Sequence, residues 1–493
     1  MFFFFALKYN KNSLFERFMN KYITVLFANL LFVNLLFADQ NSDNTSNFYN
    51  VDNEDDEFQF VQNWEDISNS IMKEIENVNL MNESNFNRLP EKRFISIISE
   101  SVQSYPQTLL SLERKKESEL NLDLAKSAFL PKIDFGAGSG EQSTEYPTGT
   151  IDGSQDRFSL SLSQLVYDFN QTKYSVDAAK KKIAGAELSE KAAKLDNSMM
   201  AIQYYLEYFR ANALLSFATK QTESAQALVY MLAEKEKLGG TSKHEIARAK
   251  IKYAESLNRI PVLEQNLIVA KNRYKIFFSN LELNPKDVFY PAEPKIILSN
   301  NDDLETIYEN YPMVQSMREV IEASKLEMKA LNNAKFGGFF LEGSTSKVNG
   351  SLSTSAQDSE SIMLTFRSNL YSGGSRKAQI ATAKSKITQQ QLQLEQMKND
   401  YFLALNQAKT NLIKEQKTFL STKELVEQSL LSYKGTLELF FARKGGLLDV
   451  FSLQESIFDA GSLMVNSFVN KTLAKYRYMH ITGELFDYIY QEI

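Results

Sequence analysis

The sequence has no cysteine. That absence excludes disulfides, thiolate metal sites, a cysteine nucleophile and an acylated N-terminal cysteine. Histidine occurs only twice, at His244 and His480, which leaves no material for a His-rich metal centre. There is 1 tryptophan, and the 9 prolines stop at Pro312. No basic excess exists either: the net charge of −6 argues against a nucleic-acid partner. Long apolar runs are confined to the first 40 residues, so no membrane-spanning helix is expected in the body of the chain. The Gly-rich strings 136–140 and Gly373-Gly374 lack the following Lys-Ser/Thr of a phosphate loop. No Ser/His/Asp set or carboxylate pair sits in a glycine-shaped loop. The expectation is a protein that is not an enzyme, with no catalytic residue, no cofactor and no metal.

What the chain does have begins with an export signal. Lys21 precedes an apolar stretch, Ile23 to Ala38, and acid follows at Asp39. This is the charge, apolar-run and cleavage order of a secretory signal, with the cut after Ala38 and residues 1–18 as an upstream extension. A membrane-anchor helix is the competing reading, but the stretch is short for one. Residues 39–90 carry 12 acidic and 2 basic residues, a composition that predicts a disordered arm. Within it, the spacing of Ile67, Ile71, Ile75 and Val78 allows a short helix.

The remainder reads as one unit written twice. Tyr105-Pro106 recurs as Tyr311-Pro312, and Gly239-Gly240 recurs as Gly445-Gly446. Two repeats follow, 91–280 and 303–489, joined by a linker at 281–302 and closed by a tail at 490–493. Each repeat orders a medium helix, two strands, a very long helix, a glycine turn and a second long helix. Phe158, Leu160 and Leu162 alternate with Ser159, Ser161 and Ser163; Ile362, Leu364 and Phe366 alternate with Met363, Thr365 and Arg367. Strict alternation means strands with one apolar and one polar face. The polar segments Glu141–Asp156 and Lys347–Glu360 are expected to be loops. Such strands suit a soluble sheet with one solvated face or a membrane barrel with its apolar face to lipid. Four strands cannot close a barrel, whereas three chains would supply twelve.

Residues 170–237 hold no proline and one glycine. Leu188, Ala192, Leu195, Met199, Ile202, Leu206, Phe209 and Ala213 form a heptad-like seam along them. The second copy repeats it through Leu394, Met397, Tyr401, Leu405, Ala408 and Leu412. Return helices are expected at Ser242–Phe278, with a kink at Pro261, and at Leu448–Ile489. A long exported coiled coil with no transport role would explain the helices but has no use for amphipathic strands.

Several local patterns then carry a family resemblance across about Phe94 to Ile489. Phe129-Leu130-Pro131-Lys132, the run Leu160 to Asp168, the run Phe366 to Arg376, and Leu447-Leu448-Asp449-Val450 occur in order. Together they resemble the TolC-type outer-membrane efflux proteins. The sequence departs from that pattern at Gly337, Asn369, Arg443 and Ser452. The resemblance implies a mainly α fold with a membrane β-barrel portion. A homotrimer would build a twelve-stranded barrel in the outer membrane of a Gram-negative bacterium, continued by a long α-helical periplasmic tunnel. It implies an exit duct for efflux or type I secretion, partnered by outer-membrane lipid, a periplasmic adaptor and an inner-membrane transporter of RND or ABC type. The residues it points to as a pore gate are Asp449, with Ser452 one turn on and Glu245 as a second acidic layer. The plainer reading of both acids is solvated helix N-termini. Leu238, Gly239, Gly240, Thr241, Gly445, Gly446, Leu447 and Leu448 are expected at the periplasmic tip, the glycines supplying left-handed backbone. Phe158, Leu160, Leu162, Ile362, Leu364 and Phe366 are expected to face lipid.

Overall fold

The structure is a computed structural model that describes residues 90–146, 149–237, 239–279, 293–296, 304–350, 357–442 and 444–490. The expected signal, the acidic arm, Leu238, Arg443 and most of the 281–302 linker lie outside them. All described residues belong to one compact unit, Ile71–Ile493. Its first copy runs α1 (Glu91–Gln103), α2 (Pro106–Ser127), β1 (Lys132–Tyr146), β2 (Gly149–Tyr167), α3 (Gln171–Lys237) and α4 (Lys243–Phe277). Its second runs α5 (Leu304–Asn310), α6 (Pro312–Asn333), β3 (Gly338–Gly350), β4 (Gln357–Arg367), α7 (Ser375–Phe441), α8 (Leu447–Thr482) and α9 (Glu484–Tyr490).

The two Tyr-Pro dipeptides each split the expected medium helix into two. Pro106 and Pro312 take the first position of α2 and α6, where a missing N–H costs nothing. The tyrosines before them anchor the break: Tyr105 stacks on Phe277 at 4.1 Å, and Tyr311 packs on Tyr401 at 5.2 Å. α3 and α7 are 67 residues each, about 100 Å long by helical rise. The predicted seam is their buried stripe: Ala192, Leu195, Ile202, Leu206 and Phe209 in α3, Tyr401, Leu405 and Leu412 in α7. Pro261 does not end the first return helix, since α4 runs on through it. The second return helix is shorter than expected. It stops at Gly483, whose φ of +84° takes the chain out of helical register before α9.

Entry into the long helices demands two successive left-handed residues in both copies. The second copy provides Gly373 and Gly374 at φ +61° and +85°. At the matching places the first copy has Phe169 and Asn170, at φ +55° and +69°. Left-handed backbone costs a non-glycine residue about 1–2 kcal/mol. Local contacts hold it there. Phe169 packs on Tyr167, Phe336 and Phe339, its carbonyl accepts from Asn333 Nδ2 at 2.7 Å, and Asp168 accepts from the Thr172 N–H at 2.7 Å.

The helices meet in an aromatic knot of Phe94, Tyr205, Tyr274, Phe278 and Tyr476, all buried. Beside it Lys471 of α8 is buried over the Phe419 ring at 3.7 Å. Its counter-ion is Glu293, at 3.0 Å, which also pairs with Lys475 at 2.5 Å. Burial pushes the Glu293 carboxyl up, but the two lysines outweigh it and hold the group below its ordinary value. A carboxyl held low in the folded state contributes stability above its unfolded pKa and loses it as pH falls through the folded one. Glu293→Gln leaves Lys471 buried without a counter-ion and should cost about 3 kcal/mol at neutral pH. In urea unfolding, the stability gap to wild type should shrink as the pH is lowered past the ordinary carboxylate range. A gap that is constant across that range would contradict this assignment.

Candidate functional site

The four strands form one antiparallel meander in the order β1-β2-β3-β4, with both outer edges unpaired among the described residues. Register brings the alternating residues into rows. Ile133 lies opposite Leu162, Phe135 opposite Leu160, and Ala137 opposite Phe158. Leu341 lies opposite Leu364, and Phe339 opposite Phe366. The six residues expected to be lipid-facing therefore share one face. Nothing in the described chain covers that face: Ile362 is 82% exposed and Leu364 66%. At the helical end the band finishes in aromatics, with Phe339 and Phe366 at 4.9 Å and Tyr167 on Phe169 at 5.1 Å. The opposite face is hydroxyl-rich. Ser344 meets Ser361 at 2.8 Å, Ser346 meets Ser359 at 2.9 Å, and Thr365 donates to Glu342 at 2.9 Å beside the Arg367 ion pair.

Two segments expected to be loops are largely strand. β1 and β2 stay paired up to Tyr146 opposite Gly149, and β3 and β4 up to Val348 opposite Gln357. Beyond the apolar band both faces of these hairpins are polar. The backbone ladder continues there although alternation, the sequence signal for a strand, has ended.

At the far end of the long helices the chain reverses twice. The first turn follows α3: Gly239 N–H donates to the Glu236 carbonyl and Gly240 N–H to the Lys235 carbonyl. Of the four tip glycines only Gly239, at φ +70°, has left-handed backbone. Gly240, Gly445 and Gly446 do not, which corrects the expectation. Close approach explains three of the four: a Cβ on Gly240 would meet Lys235 at 3.0 Å, on Gly445 the Phe440 nitrogen at 3.1 Å, and on Gly446 the Asp449 carboxylate at 3.1 Å. The two Gly-Gly pairs are not equivalent either. α3 and α7 begin 204 residues apart, as do α4 and α8, whereas the glycine pairs are 206 apart.

That spacing matches Glu245 with Asp449, each the third residue of its helix. Their surroundings differ. Glu245 belongs to a capping box: its N–H donates to Ser242 Oγ at 3.3 Å, and its carboxylate accepts from Ser242 N–H at 3.5 Å and from the Thr241 hydroxyl. The Thr241 bond chiefly holds that carboxyl below its ordinary value. α8 has Gly446 as its N-cap, which offers no side chain to trade bonds with. Asp449 is exposed and forms no ion pair with a described residue. Ser452, also exposed, donates to the Asp449 carbonyl at 3.1 Å. Leu447 is buried, and Leu448 is exposed beside the turn.

Periodicity gave no sign of the contact that ties the two return helices together. Glu455 of α8 pairs with Arg259 and, at 3.4 Å, with Lys252, both of α4. Arg259 also lies over the Phe458 ring at 4.7 Å. Burial raises the Glu455 carboxyl, and the two cations overcome that and leave it low.

The sequence profile of the outer membrane efflux protein family matches residues 110–273, from α2 through most of α4. The outer membrane efflux protein BepC of Brucella suis is 19% identical over 373 residues, covering 74% of this chain and 79% of that protein. Among solved structures, the Campylobacter jejuni CmeC outer membrane channel superposes with a TM-score of 0.69 at 15% identity, covering 79% of this chain and 85% of that one. A membrane protein from Pseudomonas aeruginosa gives 0.70 at 15% identity, covering 81% and 93%. With its duplicated helical unit and four-stranded sheet, this chain has the fold of these outer membrane channels, and its residues 110–273 match the outer membrane efflux protein family.

Proposed function

We propose that this chain is one third of an outer-membrane exit duct. The observation that carries the reading is the sheet. Among the described residues its apolar face is uncovered and its two edges are unpaired, yet it is joined directly to two helices of 67 residues. An exposed apolar sheet with free edges is an aggregation hazard in water. In a membrane the same face meets lipid, and edge-to-edge pairing of β4 with β1 of the next copy satisfies the backbone. Three copies then close twelve strands. The helices continue the barrel as a periplasmic tunnel, and Phe158, Leu160, Leu162, Ile362, Leu364 and Phe366 face lipid. The turns at Thr241 and at Gly445 to Leu448 form the docking end for a periplasmic adaptor and an inner-membrane pump of RND or ABC type. Cargo passes without being altered.

Asp449 is the gate residue of this reading, because it stands in the first turn of α8 with no capping partner or counter-ion among the described residues. Threefold symmetry brings three such carboxylates around the axis, a ring that favours cations. Glu245, held in its capping box, is a weaker contributor. Purified wild-type trimers in a planar lipid bilayer should conduct with cation preference and be blocked by multivalent cations. Asp449→Asn should lower both, and Glu245→Gln should change them less. A monomeric, detergent-independent rod would refute the duct. Conducting trimers whose selectivity ignores Asp449→Asn would leave the duct standing and remove Asp449 from its axis.

A further inference from the structure

Charge is sorted by face in the outer part of the sheet, beyond the apolar band. Glu141, Asp152, Asp156, Asp358 and Glu360 all fall on the apolar, outward-facing side, as strand parity with Phe135, Leu160 and Leu364 requires. Lys347 is on that side too, opposite Asp358. The inward side carries a single charge there, Arg157, opposite Gly138 and Val348. Its surroundings leave it room: a Cβ at Gly138 or Gly140 would meet nothing within 4 Å. It is exposed and forms no ion pair with a described residue.

Nearer the helices the inward charges cancel. Glu342 is engaged by Arg367 and Thr365, and Lys132 shares its face and strand with Asp134. Asp134 lies opposite Ser161, four residues along β2 from Arg157, about 13 Å by strand rise. That exceeds the screening length at physiological salt. Closing the barrel brings no acid to Arg157 from β4, whose inward residues from Ser359 to Thr365 are uncharged. The connections 147–148 and 351–356 contain no acidic residue.

We propose that three copies of Arg157 form a basic collar inside the outer half of the barrel, which attracts oligovalent anions on the exit side. This rests on the trimeric duct reading. The duct then carries opposite fixed charges at its two ends, acidic at the helical tip and basic near the mouth. Anionic cargo, bearing phosphate, sulfonate or several carboxylates, is disfavoured at the tip and attracted only within a screening length of the collar, so the collar acts on anions that have already reached the barrel. Guanidinium groups suit such anions because they offer forked donors.

The test uses wild-type and variant trimers in a planar bilayer at low salt, with tripolyphosphate added to one compartment at a time. Wild type should be blocked from the barrel side, and less so as salt rises. Arg157→Ser should raise the half-blocking concentration about tenfold, a modest charge-focusing effect. Arg157→Lys should retain most of the block, and Arg157→Gln provides a second neutral variant of fuller volume. Neutral variants blocked at the wild-type concentration overturn the collar. So does failure of both to assemble while Arg157→Lys assembles, since Arg157 would then be structural. Wild-type trimers that never conduct would overturn the duct itself, so the two failures are distinguishable.

Discussion

Leu160→Arg combined with Leu364→Arg should abolish outer-membrane trimers. Both residues lie mid-band on the uncovered face of β2 and β4, aligned through register with Phe135 and Leu341. Arginine on a lipid-facing barrel position costs about 2–4 kcal/mol at the bilayer midplane. Two such changes per chain amount to about 4–8 kcal/mol, comparable to the whole stability of a typical domain. The informative controls are arginines of the same strands on the other face. Thr365 is unsuitable because its hydroxyl donates to Glu342, and Ser161 lies opposite Asp134. Ser159→Arg and Ser359→Arg are better, since Ser159 faces Gly136 and Ser346, and Ser359 faces Ser346. Heat-modifiable trimers in the outer-membrane fraction should persist in the controls and vanish in the paired variant. Normal trimers from Leu160→Arg/Leu364→Arg would mean that this face does not meet lipid.

The features legible in the sequence are those that leave a periodic trace. A helix that buries one stripe must repeat its apolar residues at heptad spacing, so the seam from Ala192 to Phe209 could be read directly. A sheet with unlike faces must alternate, so Phe158 to Leu162 and Ile362 to Phe366 could be read as well. Where both faces become polar the trace ends, and the outer hairpins from Glu141 to Asp156 looked like loops. Their strand character comes from cross-strand backbone bonds, which leave little mark on composition.

Local chemistry was harder to align. Repeated Gly-Gly dipeptides suggested equivalent turns, but the helices repeat at 204 residues and the glycine pairs at 206, while Glu245 and Asp449 keep the comparable places expected of them. A glycine needed for close approach looks the same in sequence as one needed for left-handed backbone. The left-handed Phe169 was invisible by itself because phenylalanine rarely adopts that conformation. The signal lay in the other copy, where Gly373 occupies the matching place. Glu455 was missed because an ion pair between helices separated by some 200 residues has no period to detect.

The second large effect is expected at the tip. Gly445→Val/Gly446→Val should leave trimers intact and stop export. The turn after α7 hangs on the Leu439 carbonyl, which accepts from Lys444 N–H at 2.8 Å and Gly445 N–H at 3.0 Å. A side chain on Gly445 would press on the Phe440 nitrogen and on Leu439 at 3.2 Å. Two of the three nearest atoms are backbone and not the end of a flexible side chain, so the turn has to give by a few tenths of an ångström, which is expected to weaken those two bonds. Each is worth about 1 kcal/mol. A loss of that size stays local, because the buried stripes of α7 and α8, which reach the turn at Phe440 and Leu447, are far larger. Valine at Gly446 fits its backbone, at φ −86°, but displaces the Asp449 carboxylate. The variant therefore misplaces the exposed Leu448 and Asp449 together while the barrel end is untouched. Gly239→Val makes a useful contrast, since there the space is open and only the backbone angle of +70° resists. Its defect should be milder and should be relieved by Gly239→Asn, because asparagine tolerates left-handed backbone. Measured as export rate per trimer with the native pump, the Gly445→Val/Gly446→Val variant should fall to background. Full-rate export from it would separate the Gly445–Leu448 turn from docking and from the gate alike.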